Sequence, residues 1–410
     1  MIKLKEAVGY SSYRNNVSLI TIENYISTEN LSQNKLGKVN ATKLPEISGN
    51  TTGFHSNDIL VGNIRPYLKK IWFATHDGSS SPDVLTFKVK EKFHPKFVYY
   101  SMFRDDFFEH MMKGAKGTKM PRGDKNQILD FQIPDFDYNF QSQIAKVLSD
   151  IDAKIELNNK INTELEAMAK LIYDYWFVQF EFPLDFAQGE PNEDGKPYKS
   201  SGGKMVWNEE LKREIPEGWE VKELSDIANI TMGQSPPGES YNEEKEGSIF
   251  YQGCTDFGKR FPIIRKYTTQ PTRFARHNDI LLSVRAPVGM MNIAKEDCCI
   301  GRGLASLNSK DDSIPYLFGV MQNLKQIFDR RNVNGTTFGS ITKDDLFSLK
   351  VIKPSKEILI HFHSMVNPFF QKQNKIEFEN IQLSELRDWL LPMLMNGQVS
   401  IDKLIDQIID

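Results

Sequence analysis

One stretch of this chain occurs twice, and that repetition limits the folds open to it more than any other feature. Asn57-Asp58-Ile59-Leu60-Val61-Gly62-Asn63-Ile64-Arg65-Pro66 returns as Asn278-Asp279-Ile280-Leu281-Leu282-Ser283-Val284-Arg285-Ala286-Pro287, an offset of 221 residues. Farther along, Gly117-Thr118 returns as Gly335-Thr336 at an offset of 218, and an apolar helical segment follows each pair. Motifs kept in the same order at a nearly constant offset mark an internal duplication. A period this long is a domain plus a helix, not a solenoid unit. The chain therefore reads as two similar half-molecules joined head to tail, an arrangement suited to a target with two parts.

The first half opens with a mixed α+β segment over 1–138. Short β-prone runs such as Val84-Leu85-Thr86-Phe87-Lys88-Val89 alternate with Gly, Asn, Ser and Pro turns. A single helix is expected over 96–112, followed by a polar Gly-rich loop from Gly114 to Gly123. From Phe140 the apolar period changes. Ile144, Leu148, Ile151, Ile155, Asn158, Asn162, Leu165, Ala169 and Ile172 recur at spacings of four and three, the pattern of a heptad seam. This predicts a long helix over 139–180, with Asn158 and Asn162 as polar residues that weaken the seam and fix its register. A long amphipathic helix lying on a globular core is the other reading of the same pattern.

Residues 181–215 are rich in Pro, Gly and acidic side chains and read as a connector. The plan then repeats: a second mixed domain over 216–355, a second long helix over 356–396, and a tail over 397–410. Phe362, Val366, Phe369, Ile376, Asn380, Leu383 and Leu390 form the second seam, and the 218 offset puts Asn380 on Asn162. Two matched seams most simply pack on each other. The fold class expected is α+β: two similar mixed α/β domains separated by two long antiparallel helices forming an intramolecular coiled coil.

Charge narrows the function. The chain's net charge is −3, but 256–350 holds 15 Lys and Arg against 9 Asp and Glu, while 183–224 holds 6 against 10. A local basic excess, not the total, is what phosphates feel. Three cysteines, Cys254 and the adjacent Cys298 and Cys299, make neither a disulfide framework nor a zinc pattern, and suit a reduced, cytoplasmic setting. No uninterrupted run of about 20 apolar residues could span a membrane.

Catalytic motifs fail in turn. Asn367-Pro368-Phe369-Phe370 approaches an adenine-methyltransferase box but lacks its second proline and lies on the second seam. Gly114–Lys119 lacks the ending of a phosphate loop, and His361 and His363 fall on opposing helix faces. No catalytic residue, metal ligand or cofactor is assigned to the chain. Recognition remains. The two loops gather Lys116, Gly117, Thr118, Lys119, Arg122 and Lys125 in the first half, and Arg331, Asn332, Asn334, Gly335, Thr336, Thr337, Ser340 and Lys343 in the second. Cations and exposed backbone N–H groups bind phosphates, and Arg, Asn and Thr read base edges. Arg65, Lys69 and Lys70, with Arg273, Arg276, Arg285 and Arg302, are further DNA-binding candidates.

Taken together, Arg65-Pro66-Tyr67, the run Gly114 to Gly123, Leu148-Ser149-Asp150-Ile151-Asp152, Tyr175-Trp176-Phe177 and Ile215-Pro216-Glu217-Gly218-Trp219 are highly specific. Over essentially its whole length the sequence resembles the specificity (S) subunits of type I restriction–modification enzymes. The resemblance implies two target recognition domains reading the halves of a bipartite double-stranded DNA site, with helices that set the spacing and dock two methyltransferase (M) subunits. On that view S-adenosylmethionine sits on the M partner, ATP and Mg sit on restriction (R) subunits, and this chain carries no catalysis. Ala286-Pro287 stands where the first copy has Arg65-Pro66, so the halves are expected to read different sequences. A coiled-coil scaffold with duplicated protein-binding domains, and the specificity partner of a related type II restriction–methylation enzyme, are the alternative readings.

Overall fold

The structure, a computed structural model, describes residues 1–45, 49–184, 196–333 and 339–399. Two compact units emerge: Met1–Leu157 together with the chain from Ile381 onward, and Asn158–Asn380.

In the first unit, a four-stranded antiparallel sheet has the order Val8–Tyr10, Val84–Val89, Ile59–Gly62, Ile71–Phe73. The second unit repeats it with Ala228–Met232, Leu304–Ser309, Ile280–Ser283 and Met291–Ile293. The registers agree as well. Val8 faces Val89 in one sheet and Ala228 faces Ser309 in the other, a common offset of 220 residues. Each unit is closed by a short antiparallel pair, Ile2–Lys3 with Gln132–Ile133 and Glu220–Glu223 with Lys350–Lys353.

The duplicated stretch is the central strand of each sheet and the turns at its ends. Asn57 and Asn278 enter the left-handed region at φ 74° and 70°. Asparagine tolerates that conformation better than other residues with a Cβ. The next residue caps the turn: Asp58 accepts from the His55 amide at 2.9 Å, and Asp279 from the Arg276 amide at 2.9 Å. Ile59, Leu60 and Val61 follow, fully buried, as do Ile280, Leu281 and Leu282. Asn-Asp-Ile-Leu is thus a fold signature, a turn that launches a core strand.

The helix expected over 96–112 is two, Pro95–Phe103 and Asp105–Lys113, separated by Arg104 in extended conformation at ψ 149°. The second begins with Asp105 and Asp106, which favour a helix N-terminus, and Arg104 pairs with Asp106. In the second unit the corresponding segment, Ile314–Val333, is one uninterrupted helix.

Two long helices dominate the rest, Tyr138–Tyr173 of 36 residues and Lys356–Met395 of 40. The first ends in a widened turn, Asp174–Val178, that buries Trp176 and Phe177. In the first unit Ile144, Ala145 and Leu148 share a core with Phe97 and Phe103 and with Leu390 and Leu394 of the second helix. There, seam residues also cover the globular core. Arg387 meets Asp152 at 2.9 Å in the same unit. In the second unit the two helices run antiparallel: Asn158 donates to Asn380 Oδ1 at 3.0 Å, and Gln373 donates to the Asn162 carbonyl at 3.1 Å. Asn380 returns a bond to Asn159 Oδ1 at 3.2 Å, so Asn380 faces the Asn158–Asn159 turn. Asn158, Ile376 and Asn380 are buried, while Ile151, Ile155, Asn162, Leu165, Phe369 and Leu383 are half-buried. The Asn367–Phe370 motif is one turn of this second helix. Its Phe370 packs edge-on against Phe318 with centroids 5.3 Å apart.

The acidic part of the connector, 185–195, lies outside the described residues, but its flanks are well packed. Phe182 stacks between Tyr198 and Trp219 at 4.6 and 4.9 Å, and Arg213 covers the Phe180 ring. Four aromatic side chains bordering the polar run supply the core that its composition hides.

Two outcomes are expected. Leu148→Ala leaves a hole in the first unit's core and costs about 2–5 kcal/mol, read as a lowered denaturation midpoint. Asn57→Gly is nearly neutral by the same measurement, whereas Asn57→Ala loses about 1 kcal/mol because its Cβ crowds the left-handed turn.

Candidate nucleic-acid interface

The turn that leaves the central strand meets the basic loop in each unit. In the first, Ile64 bridges Arg122, the Arg65 amide donates to the Pro121 carbonyl at 2.8 Å, and the Gly123 amide donates to Asn63 at 3.2 Å. In the second, Arg285 bridges Ser340 and the Ile341 amide donates to Val284 at 2.9 Å. These pairs lie at the offsets seen in sequence, so the two repeated motifs form one local structure.

The first unit's loop folds on itself. Lys116 and Arg122 exchange two backbone hydrogen bonds of 2.9 Å around Gly117, which sits at φ 96°. That tight ring explains why Gly belongs there. It pushes Gly117, Thr118, Lys119 and Met120 outward, all exposed. Asp124 anchors the loop's end by capping the short helix Lys125–Ile128, accepting from the amides of Asn126 at 2.9 Å and Gln127 at 3.2 Å. Those amides, with the Lys116 ammonium at 3.3 Å, hold its carboxyl below the usual carboxylate range. Arg122 pairs with Asp83 at 3.0 Å. Asp83 and Asp124 are the anchors that sequence reasoning missed; a lone Asp among surface loops carries no signal of its partner.

The other first-unit candidates differ in availability. Arg65 occupies the left-handed region at φ 52°, and its Nε is buried without a hydrogen-bond partner. Lys69 pairs with Asp105 at 3.0 Å. Lys70 donates to the Thr28 carbonyl, and burial pulls its ammonium below the usual lysine value. Lys70 therefore ties two segments together and offers less to a ligand than Lys116 or Lys119. Lys125 lies 5.8 Å from the Tyr10 ring centroid.

In the second unit Arg285, Ser340 and Lys343 are exposed around the bridge, with Lys343 over the Phe347 ring at 5.1 Å. Arg302 donates through Nε to Ser235 Oγ at 3.3 Å. Arg273 is exposed beside the strand Phe274–Ala275. Arg276 belongs elsewhere: its amide caps onto Asp279 at the entry to strand Ile280–Ser283, whereas Arg285 follows the exit. The fold does not gather those two arginines. Arg331 and Asn332 lie in the helix Ile314–Val333, and Asn334, Gly335, Thr336 and Thr337 lie outside the described residues. Part of the basic excess of 256–350 is spent inside the unit. Arg260 donates to Asn374 Oδ1 at 2.5 Å and stacks on Phe370 at 4.9 Å, and burial lowers its pKa to about 10.

The long helices carry a second kind of surface. In the second unit Ile161, Met168, Leu171 and Tyr175 are exposed along the first helix and its terminal turn, Leu171 at 67%. In the first unit Leu386 and Trp389 stand out from the second helix, Trp389 at 53%. Among the described residues no helix is long and apolar enough to cross a membrane.

A family of known proteins shares this duplication. The type I restriction modification DNA specificity domain matches residues 10–167 and again 216–386. The chain belongs to this family. Among its relatives in the specificity-subunit family is a Methanocaldococcus jannaschii chain that carries the name MjaX type I restriction enzyme specificity subunit. It is 30% identical over 414 residues, covering 97% of this chain and 89% of its own. The HindI type I restriction enzyme specificity subunit of Haemophilus influenzae is 24% identical, covering 92% of this chain and 94% of its own. The crystal structure of a type I restriction–modification S subunit from M. genitalium shares the fold at a TM-score of 0.55 and 18% identity, covering 96% and 95% of the two chains. Membership makes this chain a specificity subunit, a recognition component and not a catalyst, and it favours that reading over a protein-binding scaffold.

The Asp124 cap has a sign that can be checked. Its carboxyl titrates lower folded than unfolded, so its contribution is complete above the unfolded value of about 3.9 and is lost as pH falls through the folded pKa. Titration followed by NMR is expected to place Asp124 below that reference. Asp124→Asn keeps the loop's amide shifts while Asp124→Ala moves them.

Proposed function

We propose that each unit reads one half of a bipartite double-stranded DNA target, the turn and the basic loop being the reading surface. The observation that carries this is the bridge between the strand-exit turn and the loop, made in both units at matching positions. It assembles cations and exposed loop backbone, the donors that phosphates select, beside Thr and Ser hydroxyls that can reach base edges. Lys116, Lys119 and Arg122 in the first unit, and Arg285, Ser340, Lys343 and the Arg331–Thr337 segment in the second, are the DNA contacts of this reading. The loops differ outside their Gly-Thr pair, Lys119-Met120-Pro121-Arg122 against Thr337-Phe338-Gly339-Ser340, which supports different half-site sequences.

The chemistry is supplied by partners. Two M subunits dock on the exposed apolar side chains of the long helices and use S-adenosylmethionine to methylate adenine N6 in each half-site, on a base turned out of the helix. R subunits with ATP and Mg join for cleavage of unmethylated DNA. Support for docking comes from the exposure of Leu171 and Trp389, since bulky aromatic and aliphatic side chains in the open are the usual anchors of an interface. Both long helices contribute residues to both units, which supports a role in setting the distance between half-sites.

Lys119→Ala in the assembled complex is expected to weaken binding about equally across DNA sequences and to flatten the plot of log affinity against log salt by about one unit. Unchanged affinity and slope would remove the loop from the interface. Four residues inserted within 156–162 should change the spacer found when N6-methyladenine is mapped in cellular DNA, or abolish assembly. A spacer left as it was would refute the measuring role of the helices.

A further inference from the structure

A second polar surface of the first unit lies away from the duplicated motif. The strand Arg14–Asn16 pairs antiparallel with Asn50–Phe54, Arg14 facing Thr52 and Asn16 facing Asn50. Side chains alternate along a strand, so Arg14, Thr52 and Asn50 share one face of this ribbon while Asn15 and Thr51 share the other. The two faces are used differently. Asn15 donates to the Gly78 carbonyl at 2.9 Å and Thr51 to the Ser80 carbonyl at 2.7 Å, and both serve the fold. On the opposite face Arg14 and Asn50 are exposed. Arg14 spends one donor on Thr52 Oγ1 at 2.8 Å, which orients the guanidinium and leaves its other N–H groups to a ligand.

Arg14, Asn50 and Thr52 line a cleft of about 330 Å³ together with Tyr10, Ser11, Thr51, Lys125 and the strand residues Val84 to Thr86. Lys125 follows directly on Asp124, the cap that anchors the basic loop, so cleft and loop share an edge. Pro82 completes the lining, next to the Asp83 that holds Arg122.

The second unit has an arginine at the place of Pro82, not of Arg14. The 220-residue register that aligns Val8–Val89 with Ala228–Ser309 puts Arg302 where Pro82 stands, and Arg302 Nε bonds the hydroxyl of Ser235. Each unit therefore carries an exposed, hydroxyl-oriented arginine, but on different segments: Arg14 on the strand Arg14–Asn16, Arg302 at the place of Pro82. The two units therefore present different side chains beside their sheets, which suits the reading of two different sequences.

We propose that the cleft formed by Arg14, Asn50, Thr52 and Lys125 is a base-reading pocket of the first unit, taking the major-groove edge of a base pair, with Arg14 a specificity-determining residue. The inference rests on the DNA-specificity reading above and extends it to residues outside the loop. Arginine's fork matches the O6 and N7 acceptors of guanine, and asparagine's amide matches adenine N6 and N7. Lys125 at the rim supplies the phosphate contact that holds register.

The test uses the chain assembled with its methyltransferase partner and a panel of duplexes in which every position of both half-sites is varied. Arg14→Ala and Arg14→Lys are expected to lose roughly tenfold or more of discrimination at one base pair of one half-site, leaving the other half-site as in the parent. Asn50→Ala should relax an adjacent position. Arg14→Ala that keeps the parent's discrimination everywhere overturns the proposal. So does a uniform loss across all duplexes with a flatter salt dependence, because that marks a phosphate contact. Lys119→Ala measured in parallel separates the two levels: if it weakens binding while Arg14→Ala changes nothing, the pocket falls and the DNA reading stands; if neither variant changes anything, both fall. Arg14 is exposed, and unchanged thermal unfolding of its variants confirms that the readout is recognition.

Discussion

The proposed reading surface depends on a main-chain contact: the turn after the core strand is tied to the basic loop by backbone hydrogen bonds, Arg65 to Pro121 and Gly123 to Asn63 in the first unit, Ile341 to Val284 in the second. A loop of like charges repels itself and would otherwise sample many arrangements. Binding DNA would then cost the ordering of every cation. Fixing the loop to the exit of a fully buried strand settles much of that cost during folding. The anchor is as rigid as the core behind it, where Ile59, Leu60 and Val61 have no exposure at all.

Much of this was legible in the sequence because duplication gives two independent samples of one local rule. Asn-Asp-Ile-Leu could be recognised as a repeated unit before its meaning was known, and the structure supplies that meaning: an asparagine in left-handed conformation, an aspartate capping the turn, and apolar residues entering the sheet. The basic loops were found by charge and glycine. Their fastening to the strand exit was not, since Ile64–Arg122 and Arg285–Ser340 are contacts between segments more than fifty residues apart. Asp83 and Asp124 stayed hidden because a lone Asp among surface loops carries no signal of its partner, and Arg14 because a lone arginine on a short strand looks like any solvated charge. The helix interruption at Arg104 was missed because the apolar spacing continues across it, whereas the acidic pair that starts a new helix is a weaker signal.

The seams show how one pattern serves two purposes. Leu148 belongs to the core beneath the first unit's helices, while Asn158 and Asn380 bond to each other between the long helices of the second. Both readings of the heptad pattern, helix against helix and helix against globular core, describe part of the same element. Buried amides accept misalignment poorly, because a slipped register leaves donors and acceptors unmatched. A purely apolar seam would slide at far lower cost. The polar residues therefore trade some packing energy for a defined alignment.

The ring in which Lys116 and Arg122 hold each other through their peptide groups has an evolutionary corollary. Nothing in that clasp depends on which side chains the intervening residues carry, provided a glycine keeps the bend. Thr118, Lys119 and Met120 can therefore be rewritten one at a time without retuning the fold. If the loop reads DNA as proposed, a lineage under pressure to change what it recognises would find its cheapest variation there, on a platform already paid for by the peptide backbone.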